Sequence, residues 1–272
     1  MKKKLKAIKA YKDLAFLTSH EAREIRVLSE FIQPEKVFRE NNVTDTFVFF
    51  GSARIKSEQE AKKNLSDLKK IKNESKSHQT EIKEAEKAIE LSRYYEDARE
   101  LAKKLTIWSN SQKTIDRNFI VASGGGPGIM EAANRGAKEG KGKSIGMNIS
   151  LPFEQYVNNW VDPNLAFEFH YFFIRKFWLV YMAKALIVFP GGFGTLDELF
   201  EVITLVQTRK IKKDIKIIVY GSDFWKNVLN FDTLIQAGTI KKSDMKLFDF
   251  CDNVDDAFQR VTSFLESKYR KK

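Results

Sequence analysis

The chain has 272 residues, 43% of them apolar, enough to bury the core of one large α/β domain. Its single cysteine, Cys251, excludes an internal disulfide and fits a reducing, cytoplasmic setting. No apolar run approaches the ~20 residues needed to span a membrane, and the net charge of +11 favours anionic ligands.

Much of that charge sits at the two ends. Lysines at positions 2, 3, 4, 6, 9 and 12 open the chain with no apolar core or cleavage signal behind them, so they read as a solvated tail rather than a signal peptide. Residues 266–272 form a second basic tail. Such tails attract nucleic acid only without sequence preference, and no nucleic-acid motif accompanies them, so nucleic acid is not expected as a partner.

Residues 21–32 carry the apolar spacing of an amphipathic helix outside the sheet, within a first segment of 1–45. Phe47-Val48-Phe49-Phe50 is a buried strand that ends at Gly51 and Ser52. An insertion over 55–94 follows, rich in Lys, Glu, Ala and Ser and free of glycine and proline. Leu65, Leu68 and Ile71 share one helical face, and Ile82, Ala85 and Ile89 another. The segment reads as a helical hairpin turning near 75–80, a solvated excursion with no catalytic role.

Phe119-Ile120-Val121-Ala122 is the next buried strand. It runs into Gly124, Gly125 and Gly126, then a helix-forming stretch from Ile129. A strand over 144–149 and a helix over 171–184 come next. The aromatic run from Phe167 to Trp178 reads mostly as core. Ala185-Leu186-Ile187-Val188-Phe189 then leads into Pro-Gly-Gly-Phe-Gly-Thr-Leu-Asp-Glu, residues 190–198, and a packed helix. A strand over 215–220, a helix over 224–236, a strand over 247–251 and a closing helix over 255–268 complete an alternating pattern. Alternation of this kind implies a Rossmann-like, doubly wound parallel sheet covered on both faces.

The glycine turns carry the chemistry. Each lies where a strand ends and a helix begins, so helix N–H groups point at whatever lies beyond the strand, an arrangement that holds phosphate. In an open parallel sheet the ligand sits outside the carboxyl ends of the strands, so the turns at Gly51, Gly124 and Gly191 could share one crevice. Neither G-x-G-x-x-G nor G-x-x-x-x-G-K-[ST] is present, which argues against a nicotinamide or nucleoside-triphosphate enzyme. His20, His78 and His170 have no metal-ligand spacing, and no cofactor is expected. Thr195 and Glu198 stand at capping-box spacing, so spacing alone leaves Glu198 open between a helix cap and a catalytic carboxylate. On a helix interior, Thr204 could simply bond the backbone.

The motifs PGGFGTLDE and GGGPGIMEAANRGA, with the pair Arg175-Lys176, resemble the LOG family of nucleoside 5′-monophosphate phosphoribohydrolases, many of which carry the label "lysine decarboxylase". The likeness runs from about Thr46 to Asp255, and the stretches 151–155 and 204–208 resemble its longer bacterial branch. It implies a single nucleotide-hydrolase domain over 46–265 and a dimer or higher even oligomer. It also implies Arg175 and Glu198 as the catalytic pair. Substrate contacts would come from Gly51, Ser52, Gly124, Gly125, Gly126, Glu154, Lys176, Gly191, Gly192, Gly194, Thr195 and Thr204. The reaction implied is hydrolysis of the N-glycosidic bond of AMP or an N6-modified AMP, giving free base and ribose 5-phosphate. A carrier of the same fold without turnover, as in the molybdenum-cofactor carriers, is the alternative. Decarboxylation would need a lysine Schiff base to pyridoxal phosphate, for which the sequence offers no context.

Overall fold

The computed structural model describes residues 6–71, 75–112, 115, 117–151 and 156–270. Helices α1 (Leu14–Thr18) and α2 (Arg23–Glu40) lead into β1 (Asp45–Phe50). Helices α3 (Glu58–Lys70) and α4 (Lys76–Ser111) follow, then β2 (Phe119–Ser123), α5 (Ile129–Glu139), β3 (Ser144–Ile149) and β4 (Ala166–Phe169). The second half runs α6 (Phe172–Tyr181), β5 (Ala183–Val188), α7 (Phe193–Gln207), β6 (Lys216–Tyr220), α8 (Ser222–Val228), α9 (Phe231–Gln236), β7 (Asp249–Cys251) and α10 (Val254–Tyr269).

The strands form one seven-stranded parallel sheet in the order β4-β3-β2-β1-β5-β6-β7. This is the α/β, Rossmann-like architecture expected. Strands β1, β2 and β3 are buried along their whole length, which is why they read as apolar runs and not as alternating ones. One face packs Val48, Phe50, Ile120 and Leu186 against Phe38 of α2, Ile174 and Trp178 of α6, and Leu199 and Val202 of α7. The other packs Phe47, Phe49, Val121 and Ile187 against α4, α5 and α10. The chain winds outward from β1 to β4, then returns to lay β5 on the opposite side of β1. The strand order therefore reverses between β1 and β5, where a crevice opens at the strands' carboxyl ends.

Several elements differ from the sequence expectation, each for a local reason. The first helix does not stop at 32 but runs through Pro34 to Glu40. Proline lacks the N–H that would bond the carbonyl of Glu30. Trp178 Nε1 of α6 takes that carbonyl instead, at 3.0 Å. The Glu30 carboxylate then accepts the backbone N–H groups of His170, at 2.8 Å, and Tyr171, at 3.3 Å, at the start of α6. Glu30→Ala would strip two donors of their acceptor. It is expected to cost about 1–3 kcal/mol, read as a lower urea midpoint with an unchanged slope.

The insertion does hold two helices, but the expected turn is the first turn of a helix. Ser75 caps α4 by accepting from His78 N, at 3.3 Å, and residues 72–74 lie outside the described residues. Nor is α4 confined to the insertion. It continues as one 36-residue helix whose Ala98, Leu101, Ala102 and Leu105 pack in the core. The residues over 166–169 form an edge strand, with Phe167 and Phe169 buried and Ala166 and Glu168 exposed. The helix expected over 224–236 is two, because Asn230 caps a new start by accepting from Thr233 N.

Candidate functional site

Three strand ends build the crevice. The Ser52 N–H after β1 donates to the Pro190 carbonyl after β5, at 3.0 Å, and the Ser52 carbonyl accepts from Ile129 N, the first residue of α5, at 3.1 Å. Phe189 N donates to Phe50 O at 2.8 Å. Gly128 makes the closest join. It has φ of +71°, and a Cβ there would lie 2.3 Å from the Ser52 carbonyl oxygen, so only glycine fits. The loops enclose a crevice of about 820 Å³, a volume suited to a small organic ligand. Gly51, Ser52, Arg175, Gly191, Gly192, Gly194, Thr195 and Glu198 line it.

Helix α7 aims into this crevice. Its N-cap is Gly192, with no side chain capping the first turn. The helix thus starts two residues before Thr195, which removes Thr195 from the N-cap position that a Thr195–Glu198 capping box requires. Leu196 N is the first to bond back, to Gly192 O at 3.0 Å, leaving the N–H groups before it for a ligand. A Cβ at Gly192 or Gly194 would meet nothing within 4 Å, so their bareness serves no packing and leaves room for an incoming group. Thr195 is buried and lies over Gly191.

Glu198 and Arg175 face each other across the crevice floor, Arg175 Nη1 lying 3.3 Å from Glu198 Oε1. Both side chains are nearly buried, 10% and 13% exposed. Arg175 Nε donates to the Met147 carbonyl of β3 at 2.8 Å. A side chain at Gly124 would put its Cβ 2.5 Å from Arg175 Nη2, so this glycine makes room for the guanidinium. With five N–H donors in a fixed fork, Arg175 keeps donors for a ligand after these contacts. Burial pushes the Glu198 carboxyl up to about 7, partly opposed by the Arg175 charge.

The remaining sequence candidates are placed less directly. Gly125 N donates to Ser123 Oγ at 3.0 Å, and Asn158 Nδ2 holds the carbonyls of Gly125 and Gly126, each at 3.0 Å. Asn158 also bonds the buried Asn134, which reaches Ser123, Ser144 and the Ile145 carbonyl. Asn158 and Asn134 thereby fix this second glycine loop, and Gly124, Gly125 and Gly126 do not line the crevice. Asn134, Asn158 and Met147 are the supporting residues that sequence reading missed. Their roles rest on contacts between separate elements and carry no local signal.

Lys176 points elsewhere, pairing with Asp197 and Glu201 at 2.9 Å each and so tying α6 to α7. Thr204 is exposed, lies about three turns along α7 and lines a separate shallow groove with Phe200 and Glu201. Glu154 lies outside the described residues. The crevice is also lined by the apolar side chains of Ile149, Leu151, Phe172, Phe224 and Val228, and by Phe193, which is 93% exposed. Leu91 of α4 also lines it, so the long helix that begins in the insertion reaches the crevice, contrary to the expectation of a remote excursion.

Comparison with known proteins gives a consistent picture. Residues 130–261 match the family described as "Possible lysine decarboxylase". The chain is 26% identical over 155 residues to the probable cytokinin riboside 5′-monophosphate phosphoribohydrolase LOG4 of Oryza sativa subsp. japonica. That match covers 56% of this chain and 66% of the rice protein. A second rice protein, the probable cytokinin riboside 5′-monophosphate phosphoribohydrolase LOGL5, is 32% identical over 110 residues, 39% of this chain and 44% of its own length. The chain thus spans just under two thirds of one relative and less than half of the other. Among solved structures, it resembles the molybdenum cofactor binding protein from the phototrophic bacterium Rippkaea orientalis with a TM-score of 0.46 at 19% identity. That match covers 63% of this chain and 88% of the other, and a likeness so weak bears on neither ligand nor turnover.

Proposed function

The chain belongs to the LOG family, and from that premise we propose that it hydrolyses the N-glycosidic bond of a nucleoside 5′-monophosphate, AMP or an N6-modified AMP. The observation that carries this reading is one crevice holding both an uncapped helix start and a buried Arg175–Glu198 pair. The phosphate would rest on the α7 N-terminus at Gly191, Gly192, Gly194 and Thr195. The ribose would then lie over Glu198, and the base beside the apolar side chains of Ile149, Leu151 and Phe172.

Cleavage of the bond from ribose to base develops positive charge on the sugar, as glycoside hydrolysis does. The fixed Glu198 carboxylate stabilises that charge and accepts a proton from the incoming water. Arg175 orients the carboxylate and, being a poor proton donor, contributes charge and geometry only. Phosphate binding supplies remote energy that positions the ribose. The water's oxygen ends on the ribose carbon, and the base leaves with a proton.

A homodimer or higher even oligomer belongs to this reading. The exposed Phe172, Phe173, Phe177 and Tyr181 of α6 offer an apolar face of the kind that a second copy covers. Chromatography of AMP incubated with the protein tests the activity. Adenine and ribose 5-phosphate are expected, whereas a carrier would return AMP intact.

The buried carboxyl also sets a pH dependence. If the ionised form of Glu198 is the active one, kcat/KM should rise with pH up to about 7 and then level off. Below that point it should fall about tenfold per unit. A flat profile between pH 5 and 8 would remove Glu198 from the role of base.

A further inference from the structure

We propose that Arg54 is the cation that recognises the 5′-phosphate, and so the residue that sets the preference for a monophosphate over the free nucleoside. The inference rests on the phosphoribohydrolase reading above and goes beyond it, because neither the glycine turn nor the Arg175-Lys176 pair supplies this charge.

A phosphate dianion held by backbone N–H groups alone lacks a counter-charge, and arginine's planar fork is well matched to supply one. Among the described residues lining the crevice, the cationic side chains are Arg54 and Arg175. Arg175 keeps donors for a ligand, but its charge is already offset by Glu198. Lys176 is committed to Asp197 and Glu201 and does not line the crevice.

Arg54 has no ion pair among the described residues, and the acids around it are in use. It stands between the crevice and a neighbouring groove of about 510 Å³ that also contains Glu60, Asp67 and Glu131. Glu60 closes the capping box with Ser57, Asp67 pairs with Lys70 at 2.8 Å, and Glu131 accepts from the Tyr95 hydroxyl at 3.0 Å. Arg54 is exposed and pairs with none of these three carboxylates, so it remains available for an anion.

Its backbone is also fixed toward the phosphate end. Arg54 N donates to Ser52 Oγ at 3.1 Å, and Ser52 N is bonded to the Pro190 carbonyl, next to Gly191. The turn that carries Arg54 is thereby joined to the turn that opens α7. The Ser52 hydroxyl, expected from the sequence to touch substrate, serves here to shape that turn.

The test compares wild type, Arg54→Gln and Arg54→Lys with AMP and with adenosine. In Arg54→Gln the KM for AMP should rise about tenfold or more, and the ratio of kcat/KM for AMP to that for adenosine should fall by a similar factor. Arg54→Lys should recover part of the ratio, and inorganic phosphate should inhibit wild type more strongly than Arg54→Gln. An unchanged ratio, or equal losses with both substrates, would overturn the assignment. Calorimetric binding of AMP to wild type and Arg54→Gln separates this proposal from the reading beneath it. If wild type releases no adenine but binds AMP more tightly than the variant, hydrolysis fails and Arg54 stands. Equal affinities, or no binding to either, overturn Arg54 whatever the activity.

Discussion

Glu198→Gln is expected to cut AMP turnover by about 10²–10³-fold, the scale for losing a preorganised electrostatic group, and to remove most of the stability loss that wild type shows between pH 5 and pH 8. The second half follows from the raised carboxyl. Its folded value is about 7 against an ordinary 4.5, so the folded state holds the proton more tightly than the unfolded chain does. That contribution to stability is fully present below about 4.5 and is lost as pH rises through about 7. Between low pH and pH 8 ionisation of this buried group costs up to about 3 kcal/mol, at 1.36 kcal/mol per unit, a pH-dependent loss that glutamine, which cannot ionise, does not show. Urea unfolding at pH 5 and pH 8 would show wild type losing more stability between the two than Glu198→Gln does. Retained activity with lowered stability would instead be the mark of a helix cap, a role that the start of α7 at Gly192 already argues against.

Arg175→Ala should harm activity and stability together. It removes the charge beside Glu198, leaves the Met147 carbonyl without its donor and opens a void above Gly124. A loss of about 2–4 kcal/mol is expected from breaking a nearly buried pair, with turnover reduced about 10²-fold or more. The acid limb of any residual activity should move to higher pH, because the guanidinium is what opposes the upward push on Glu198. A limb that stays in place while activity falls would mean that Arg175 acts on the substrate alone and does not tune the carboxylate. Arg175→Lys should recover little, since an ammonium cannot bridge Met147, Glu198 and a ligand in one plane.

The sheet was legible in the sequence because its strands are buried on both faces and therefore apolar throughout. The edge strand Ala166–Phe169 was not, because its alternation is hidden in an aromatic run that continues into α6. The glycine turns were legible as strand-to-helix junctions. What they share was not, since only the chain's return to place β5 beside β1 brings Gly191 next to Ser52. The same limit explains Lys176 and Arg54. As a neighbour of Arg175, Lys176 looked like a ligand contact, yet successive helical residues face different ways, and Lys176 meets the carboxylates of α7. Arg54 carries no sequence signal at all, because its availability depends on partners that its neighbouring acids find elsewhere. Capping-box spacing left the role of Glu198 open for a related reason. Thr195 and Glu198 have the right separation, but the bare backbone at Gly192 lets the helix begin earlier.

The central claim is that phosphate recognition and bond cleavage are joined in one crevice. The most direct measurement is kcat/KM for AMP against adenosine on the same preparation, followed as adenine release. The account predicts that AMP exceeds adenosine by orders of magnitude, because only the monophosphate engages the α7 N-terminus and thereby places its ribose over Glu198. Equal values for the two substrates would contradict it.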